Sequence, residues 1–490
     1  MVFSSILFLF WFLPVALAVY YLLHAIGARH AKHAAQTLLS YVFYGWANPL
    51  FVVLMFVSTL IDYVCGLWMS GQFRPGAWSG PVPLLPPGGP RTRAQRAAVT
   101  FSIVSNLALL GFFKYFNFGL DTWNALAHAL GADGAAVDRF LRITLPLGIS
   151  FYTFQSMSYS IDVYRGDARA IRNWTDFAFY VSMFPQLVAG PIVRFQELAD
   201  QIQQRAHTLA KFARGAAFIG LGLAKKVLLA DPCGKVADQC FAAGALPPLE
   251  AWTGAFAYSF QIYFDFSAYS DMAIGLGLLM GFMFAKNFDS PYKSESLTEF
   301  WRRWHLSLST WLRDYLYIPL GGNRKGPVRT YVNLLLVMLL GGLWHGASWN
   351  FVIWGGIHGG VLALERLHGK RGFLQGLPRP VRVAATFLVV TVAWVFFRAA
   401  DLPAAWNYVR TMLGLGARTP AAALVAGRIY SAYHVGTLVA AALTAWLGVQ
   451  TWDYTRQLTW PRAAVTVALS IAALTMLVAT SFHPFIYFIF

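Results

Sequence analysis

Apolar runs of membrane-spanning length recur along this chain, and they constrain its fold more than any other feature. About 20 apolar residues in a helix, rising 1.5 Å each, cross the roughly 30 Å hydrocarbon core of a bilayer. Only 12% of the residues are charged, against about 25% in soluble domains. Such runs lie near 3–23, 36–70, 99–118, 143–161, 174–192, 212–230, 252–284, 330–366, 381–400, 433–450 and 463–482. The pattern predicts an all-α, polytopic integral membrane protein with about 11–12 transmembrane or re-entrant helices in a single domain, 1–490.

Two of these runs are too long for one span, and each contains a break. The run 36–70 is interrupted by "GWANP", in which Pro49 disfavours helix at the residue before it. The run 330–366 is interrupted by the glycine-rich "GGLWHGASWN". Each run is therefore predicted to form a broken helix or a tight hairpin. The first run has no basic start and is too long for a signal peptide, so we predict a retained transmembrane helix.

Basic residues concentrate in the connections between apolar runs and predict an orientation. The net charge is +17, and the loops at 71–98 and 162–173 carry Arg74, Arg91, Arg93, Arg96, Arg165, Arg169 and Arg172. The loop at 119–142 instead balances Asp121, Asp133 and Asp138 against Arg139 and Arg142. The positive-inside rule makes the first two loops cytoplasmic, the third external and the N-terminus external. We expect 71–98 to be mobile, and we expect the basic charge to meet lipid headgroups rather than nucleic acid.

Polar side chains inside apolar segments are costly, and each is a functional hypothesis. In "YSFQIYFDFSAYSDMAIGLGLLMGF", residues 258–282, Gln261 and Asp265 share one helix face, and Ser267 and Asp271 share another. The carboxylates must be paired, face water or be protonated. The pattern leaves two roles open, bonds to neighbouring helices or the lining of a polar path.

The segment 290–322 predicts an amphipathic or re-entrant helix that is rich in aromatic residues. After the helix-start residues "SESLTEF", large side chains recur at helical spacing, namely Trp301, Trp304 or His305, Leu308, Trp311 and Tyr315. Tryptophans flanked by arginines are typical of a membrane interface, which needs no chemistry. His305 lies on the aromatic side with Ser309 one turn later, so a catalytic role stays open beside the interfacial one.

His345 stands in "GGLWHGASWN" with no charged neighbour. Burial favours the neutral imidazole that a general base requires, although a core histidine fits the same pattern. The glycines could admit a slender substrate to the ring, with Trp344 and Trp349 as apolar walls. No histidine, cysteine or carboxylate lies at zinc-ligand spacing, so we predict no metal site. His358 follows at a different helical angle and is interpreted as structural.

Five ordered blocks resemble the membrane-bound O-acyltransferase (MBOAT) family, and most closely its bacterial branch that O-acetylates alginate. They are "MVFSSILFLFWFLP" at the start, "FPQLVAGPIVRF" at 184–195, "FQIYFDFSAYSDMAIGLGLLMGF" at 260–282, "NFDSPYKSESLTEFWRRWHLSLSTWLRDYLYIPLGGNR" at 287–324 and "GLWHGASWNFVIWGGIHG" at 342–359. The resemblance implies a bowl of tilted helices with a central funnel. It further implies that His345 is the essential histidine and that His305 is a second catalytic position.

The resemblance also implies substrates and partners. The family transfers an acyl group from a thioester to a hydroxyl, here from acetyl-CoA as co-substrate, with no bound cofactor. The residues that we expect to contact substrate are Gln261, Asp265, Trp304, Trp311, Trp344 and Asn350. We expect a bacterial inner-membrane protein in contact with lipids. Because no soluble domain is evident, we also expect a periplasmic serine esterase-like acetyltransferase partner and the polysaccharide export machinery.

Two alternatives remain at this point. A related enzyme could modify another acceptor, such as cellulose, peptidoglycan, teichoic acid or a lipid. Broken helices with polar residues are also typical of transporters and flippases, although the sequence shows none of the internal repeats that transporters often contain.

Overall fold

The computed structural model describes residues 1–132, 136–137, 142–369, 374–416, 422–479 and 485–486. Every regular element within these ranges is a helix. The helices are Phe8–Phe12, Leu13–Ala25, Arg29–Gly45, Leu50–Met69, Ala77–Ser79, Arg93–Ala129, Ile149–Arg165, Trp174–Ser182, Phe184–Leu187, Phe195–Gln203, Leu209–Ala224, Lys225–Ala230, Asp231–Ala242, Pro248–Leu279, Pro291–Lys293, Leu297–Phe300, Leu306–Leu312, Arg313–Tyr317, Pro327–His345, Trp349–Leu367, Arg379–Arg398, Leu402–Met412, Ala422–Ile429, Ala432–Trp446, Thr451–Tyr454 and Trp460–Ala479. The prediction of an all-α architecture is confirmed.

Among the described residues, six helical stretches are long and apolar enough to cross a membrane. They are Phe8–Ala25, Leu50–Met69, Arg93–Ala129, Pro327–His345, Arg379–Arg398 and Trp460–Ala479. The chain is therefore a multi-pass membrane protein. Other apolar runs form shorter or more polar helices; the run at 174–192, for example, is split between Trp174–Ser182 and Phe184–Leu187.

Both predicted breaks are present. The run 36–70 becomes the helices Arg29–Gly45 and Leu50–Met69, which are separated at Trp46–Pro49. The run 330–366 becomes the helices Pro327–His345 and Trp349–Leu367, which we call the histidine hairpin. His345 is the last residue of the first helix of this hairpin.

The prediction that a loop begins at residue 119 is wrong. The helix that starts at Arg93 continues to Ala129, because its "GLDTWNALAHA" end contains no proline, and it is closed by Leu130 and the left-handed Gly131. Asp121 forms an ion pair with Arg142 at 2.7 Å. Asp133, Asp138 and Arg139, on which the external assignment also rested, lie outside the described residues.

The loop at 71–98, predicted to be mobile, is held by two arginines. Arg172 donates hydrogen bonds to the carbonyls of residues 77, 78 and 80 and to the side chain of Gln72. Arg91 donates to the carbonyls of Tyr164 and Arg165. These bonds tie the loop to the 162–173 segment, the other connection that the charge pattern assigns to the cytoplasm.

The described chain divides into two compact units. The first comprises Met1–Phe212 and Gly277–Phe284, and the second comprises Ala213–Leu276 and Ala285–Phe490. In the first unit, a buried polar layer joins three helices, since Ser102 and Asn106 of Arg93–Ala129 donate to the Asp62 carboxylate at 2.5 and 2.9–3.0 Å, and Ser160 of Ile149–Arg165 donates to it at 3.4 Å. The second unit has an aromatic core that includes the fully buried rings of Trp354 and Trp394.

Close packing of the histidine hairpin depends on two glycines. A Cβ at Gly342 would collide with the Phe351 carbonyl oxygen, and one at Gly355 would collide with the Met338 carbonyl oxygen. These are backbone atoms, which cannot move aside as a flexible side chain can. The glycines therefore set how closely the two helices approach.

We expect Gly342→Ala to destabilise the protein by about 1–3 kcal/mol, the usual effect of overpacking a tight contact. The matched control is its neighbour, Gly341→Ala, whose Cβ would meet only the Leu312 side chain at an ordinary 3.5 Å. The thermal midpoint of purified protein in detergent would measure both. Equal midpoints for the two variants would contradict this account of the hairpin.

Candidate active site

His345 lies in an aromatic cage within the second unit. Its ring is edge-on to Trp344, Trp354 and Phe397, with centroid distances of 5.0, 5.2 and 5.3 Å. Trp354 belongs to the second helix of the histidine hairpin, and Phe397 belongs to the helix Arg379–Arg398. Side chains of three helices thus fix the imidazole by packing. The residue is buried, with 8% of its surface exposed.

The segment 290–322 is not one amphipathic helix. It forms the short helices Leu297–Phe300, Leu306–Leu312 and Arg313–Tyr317, with a break at His305. The His305 backbone is left-handed, with a φ of 45°, which is unusual for any residue except glycine. Trp304 and His305 at this break are buried rather than spread over a surface. The interpretation as a surface-lying helix is therefore wrong, because the break turns both side chains inward.

A small polar group orients His305. The side-chain oxygen of Asn287 accepts hydrogen bonds from the Ser307 backbone N–H at 3.1 Å and from its hydroxyl at 2.9 Å. The Nδ1 atom of His305 lies 3.3 Å from the same oxygen, which can only accept. This network assigns the proton to Nδ1 and leaves a lone pair on Nε2. The Nε2 atom is buried without a hydrogen-bond partner among the described residues.

The two predicted catalytic histidines share a neighbour. The Trp344 ring contacts His345 at 5.0 Å and His305 at 6.2 Å between centroids. Phe266 also borders His305; its ring is perpendicular to the imidazole, and the two ring centroids are 4.6 Å apart. The structure therefore brings His305, His345 and the predicted contact residue Trp344 together in one apolar environment.

The glycines of "GGLWHGASWN" do not leave an opening at His345. The Phe351 ring lies where a Cβ of Gly346 would stand, and its carbonyl fills the space beside Gly342. The expectation that these glycines admit a substrate is wrong, because helix packing uses the space they leave. Trp349, expected as a wall, is half exposed, whereas Trp354 and Phe397 supply walls that the sequence analysis did not single out.

Three other predicted contact residues are buried in different surroundings. Trp304 packs in the aromatic core, 5.1 Å from both Phe288 and Trp394 between ring centroids. Asn350 donates to the Ala399 carbonyl at 2.8 Å. Trp311 packs against Tyr315 at 5.1 Å. Each has a structural contact, and their roles towards substrate stay predictions.

Gln261 and Asp265 lie on the helix Pro248–Leu279, as predicted, but their contacts are structural. Asp265 forms an ion pair with Lys226 at 2.6 Å and accepts the Ile486 N–H at 2.7 Å. The Gln261 side chain occupies the space that Gly234 leaves by lacking a Cβ. Asp265 thus satisfies the requirement for a buried carboxylate by pairing, and a place in a polar path stays a prediction for both residues.

A cavity of about 530 Å³ lies in the second unit beside the His305 segment. Its apolar lining includes Leu306, Leu312, Val337, Met338 and Leu362, and its charged lining consists of Arg302, Arg313 and Arg366. Within the described part of the chain, no carboxylate contributes to this lining. The cavity therefore combines an apolar interior with a basic edge, next to the residue that follows His305. Among the described residues, no group of three or more metal-binding side chains lies together.

Sequence reasoning missed the residues that hold the histidines. Asn287 and Phe266 lie inside the quoted blocks, yet neither forms a periodic pattern with His305. Phe397 lies 52 positions after His345 and meets it only through tertiary packing.

Known proteins that resemble this chain define its class. Residues 168–399 match the MBOAT, membrane-bound O-acyltransferase, family, and this range contains both histidines. The probable alginate O-acetylase AlgI of Azotobacter vinelandii is 44% identical across the whole of both chains. The protein of that name in Pseudomonas putida is 45% identical, also across the whole of both. A peptidoglycan O-acetyltransferase of Helicobacter pylori is 36% identical over 85% of this chain and 80% of its own.

A multi-pass helical membrane protein with a buried histidine at the end of a helix thus has full-length relatives among O-acyltransferases. The chain belongs to the membrane-bound O-acyltransferase family. It is an O-acyltransferase, and the alternative of a transporter or flippase falls away.

Proposed function

We propose that this protein O-acetylates alginate, using acetyl-CoA from the cytoplasm across the bacterial inner membrane. The observation that carries the proposal is similarity to alginate O-acetylases from end to end, at 44–45% identity. The peptidoglycan enzyme is less similar, at 36%, and peptidoglycan is therefore the second candidate acceptor. Both acceptors present sugar hydroxyls, so the chemistry at the histidine is the same.

His345 acts as the general base in this proposal. Its imidazole removes the proton of an acceptor hydroxyl as the oxygen attacks the thioester carbonyl. A C–O bond forms, the C–S bond breaks, and the proton passes from the imidazole to the departing thiolate. The aromatic cage of Trp344, Trp354 and Phe397 keeps water from the ring, which limits hydrolysis of the thioester. His305, fixed through Asn287, offers Nε2 to orient the acceptor or share the proton.

The donor enters through the cavity beside the His305 segment. Its arginines suit the phosphates of coenzyme A, and its apolar interior suits the uncharged thioester arm. Arg366 lies at the end of the histidine hairpin that also carries Arg324, Lys325 and Arg329. The positive-inside rule assigns that end to the cytoplasm, where acetyl-CoA is found.

The acetyl group passes to the polymer through a partner. We propose that a periplasmic serine esterase-like acetyltransferase receives it and places it on alginate during export. Other exported polysaccharides, cellulose among them, and teichoic acid or lipid remain less favoured acceptors in this proposal.

Proteoliposomes with radiolabelled acetyl-CoA on the cytoplasmic face test this function. We expect acetyl transfer to alginate when the partner protein is supplied, and none when acetyl-CoA is replaced by acetate. Transfer to peptidoglycan fragments but not to alginate would reject the acceptor and keep the acyltransferase. Acetylation of alginate by the purified protein alone would contradict the need for a partner.

A further inference from the structure

A basic cluster lies in the first unit, away from both histidines of the candidate site in sequence. It consists of the side chains of Lys32, Arg205 and Lys211 with the imidazoles of His24 and His207. The two imidazole rings lie 4.0 Å apart between centroids, and the Lys32 ammonium lies 3.4 Å from Nδ1 of His24. Lys32 is 95% buried, with only 5% of its surface exposed.

The positive charges of this cluster have no carboxylate partners in the described part of the chain. Asp176 is the nearest acid of the network, and it is already engaged by His33 at 2.7 Å, Arg29 at 3.3 Å and His30 at 3.4 Å. Arg205 reaches this group only through a 3.2 Å contact with His33. Lys32 is buried, and Arg205 and Lys211 are half-buried beside it, so these like charges repel one another and the cluster is unfavourable without a counter-charge.

The cluster is nevertheless rigidly organised. Arg205 donates to the Tyr20 hydroxyl at 2.8 and 3.0 Å and lies over the Phe282 ring at 4.1 Å. The Tyr20 hydroxyl in turn contacts the His207 Nε2 at 2.8 Å and donates to the Met280 carbonyl at 2.7 Å. Lys211 donates to the Gly281 carbonyl at 3.1 Å. Binding sites are built in this way, with charged groups held in place before the ligand arrives.

The charged side chains that shift the pKa of His207 are all basic. Burial and the neighbouring His24, Arg205, Lys32 and Lys211 lower the pKa of His207 to about 4. Helix dipoles of both signs meet here, because the helices Arg29–Gly45 and Leu209–Ala224 begin at the cluster while Leu13–Ala25 and Phe195–Gln203 end at it, so the side chains rather than the dipoles set the positive field. A bound anion would relieve all of these repulsions at once.

We infer that the basic cluster of Lys32, Arg205, Lys211, His24 and His207 binds a phosphate group. Phosphate fits because its oxygens accept several charge-assisted hydrogen bonds, and arginine and lysine are its usual partners. The cluster lies at the end of the helix Leu13–Ala25 that the charge pattern assigns to the cytoplasm. Two sources of phosphate meet there, anionic lipid headgroups and the phosphates of a soluble nucleotide such as coenzyme A.

Phosphate binding to the purified full-length protein tests the inference. At constant ionic strength, we expect inorganic phosphate, compared with chloride, to raise the thermal midpoint of the wild type. We expect Lys32→Met to weaken phosphate binding at least fivefold and to raise the midpoint in phosphate-free buffer, because it removes a buried repelling charge. The exposed Arg93→Gln is the control and should change neither quantity.

Further measurements distinguish the two sources of phosphate, and a second variant controls for misfolding. Competition by coenzyme A identifies a nucleotide, and stabilisation in nanodiscs of phosphatidylglycerol over phosphatidylcholine identifies a lipid. Lys211→Gln, at the half-buried rim, should fold and bind phosphate at least twofold more weakly. The inference is overturned if phosphate leaves the wild type unchanged, or if neither lysine variant binds it more weakly. The readout is binding, so it is independent of acetyl transfer and of the proposed function.

Discussion

Replacing His345 by asparagine is expected to lower acetyl transfer by about 10²–10⁴-fold, the usual contribution of a general base. Asparagine is close to histidine in size but cannot accept a proton at neutral pH. The aromatic cage of Trp344, Trp354 and Phe397 should hold the smaller side chain without collapse. Initial rates of transfer from acetyl-CoA in proteoliposomes, with the partner protein present, would measure the effect.

The matched control is His358→Asn. His358 is fully buried in the same hairpin, and its Nδ1 accepts the Trp301 indole N–H at 3.2 Å. The asparagine oxygen can take the place of Nδ1, so this variant should keep most of the activity. If His345→Asn folded with a wild-type thermal midpoint and kept more than a tenth of the activity, the general-base assignment would be wrong. Equal losses of activity in both variants would indicate that the substitutions disturb the histidine hairpin, and that the loss does not come from the His345 imidazole.

Replacing Lys226 by methionine is expected to destabilise the protein by about 3–5 kcal/mol, as removal of one partner from a buried ion pair does. The Lys226 ammonium lies 2.6 Å from the Asp265 carboxylate and 2.6 Å from the Asp231 carboxylate. Only 3% of the Asp265 side chain is exposed, so its charge would be left without water or cation. The thermal midpoint and the yield of folded protein in detergent would measure the loss.

The companion variant Asp265→Asn separates structure from chemistry. Lys226 keeps Asp231 as a partner, so we expect a smaller loss of about 1–3 kcal/mol, mainly from the weakened bond to the Ile486 N–H. Activity per folded molecule should stay near that of the wild type if Asp265 acts only in packing. A folded Asp265→Asn protein with at least tenfold lower activity would instead support the polar path predicted from the sequence. If Lys226→Met and Asp265→Asn destabilised the protein equally, Asp231 would not be the partner that keeps Lys226 paired when Asp265 is changed.

Much of the fold could be predicted because the thickness of the membrane sets the length of the apolar run in each helix that crosses it. The breaks at 46–49 and 346–348 were visible, since each lies inside an apolar run too long for one span. The helix that continues to Ala129 was missed because its end is polar, and hydropathy does not show helix outside the hydrocarbon core. The break at His305 was missed because helical spacing of aromatic residues continues across it, while the left-handed backbone is held by Asn287 and Ser307.

In the candidate site, too, some features could be predicted from the sequence and others could not. The apolar surroundings of His345 and the quoted blocks identified the residue, and its position at the end of a helix follows from the neighbouring glycines. The function of those glycines was not visible, because only the paired helix shows that Phe351 occupies the space they leave. The partner of Asp265 was equally hidden, since Lys226 lies 39 positions away.

The sequence by itself determined the class of protein, the hairpin and the histidine at its break, because hydrophobic length and local residue type act along the chain. The tertiary structure decided what surrounds each polar group. It gave His345 a cage of Trp354 and Phe397, gave His305 a bond to Asn287, paired Asp265 with Lys226, and left Lys32 without a carboxylate. Pairing of buried charges and filling of space depend on side chains far apart in sequence, and only folding brings them within reach.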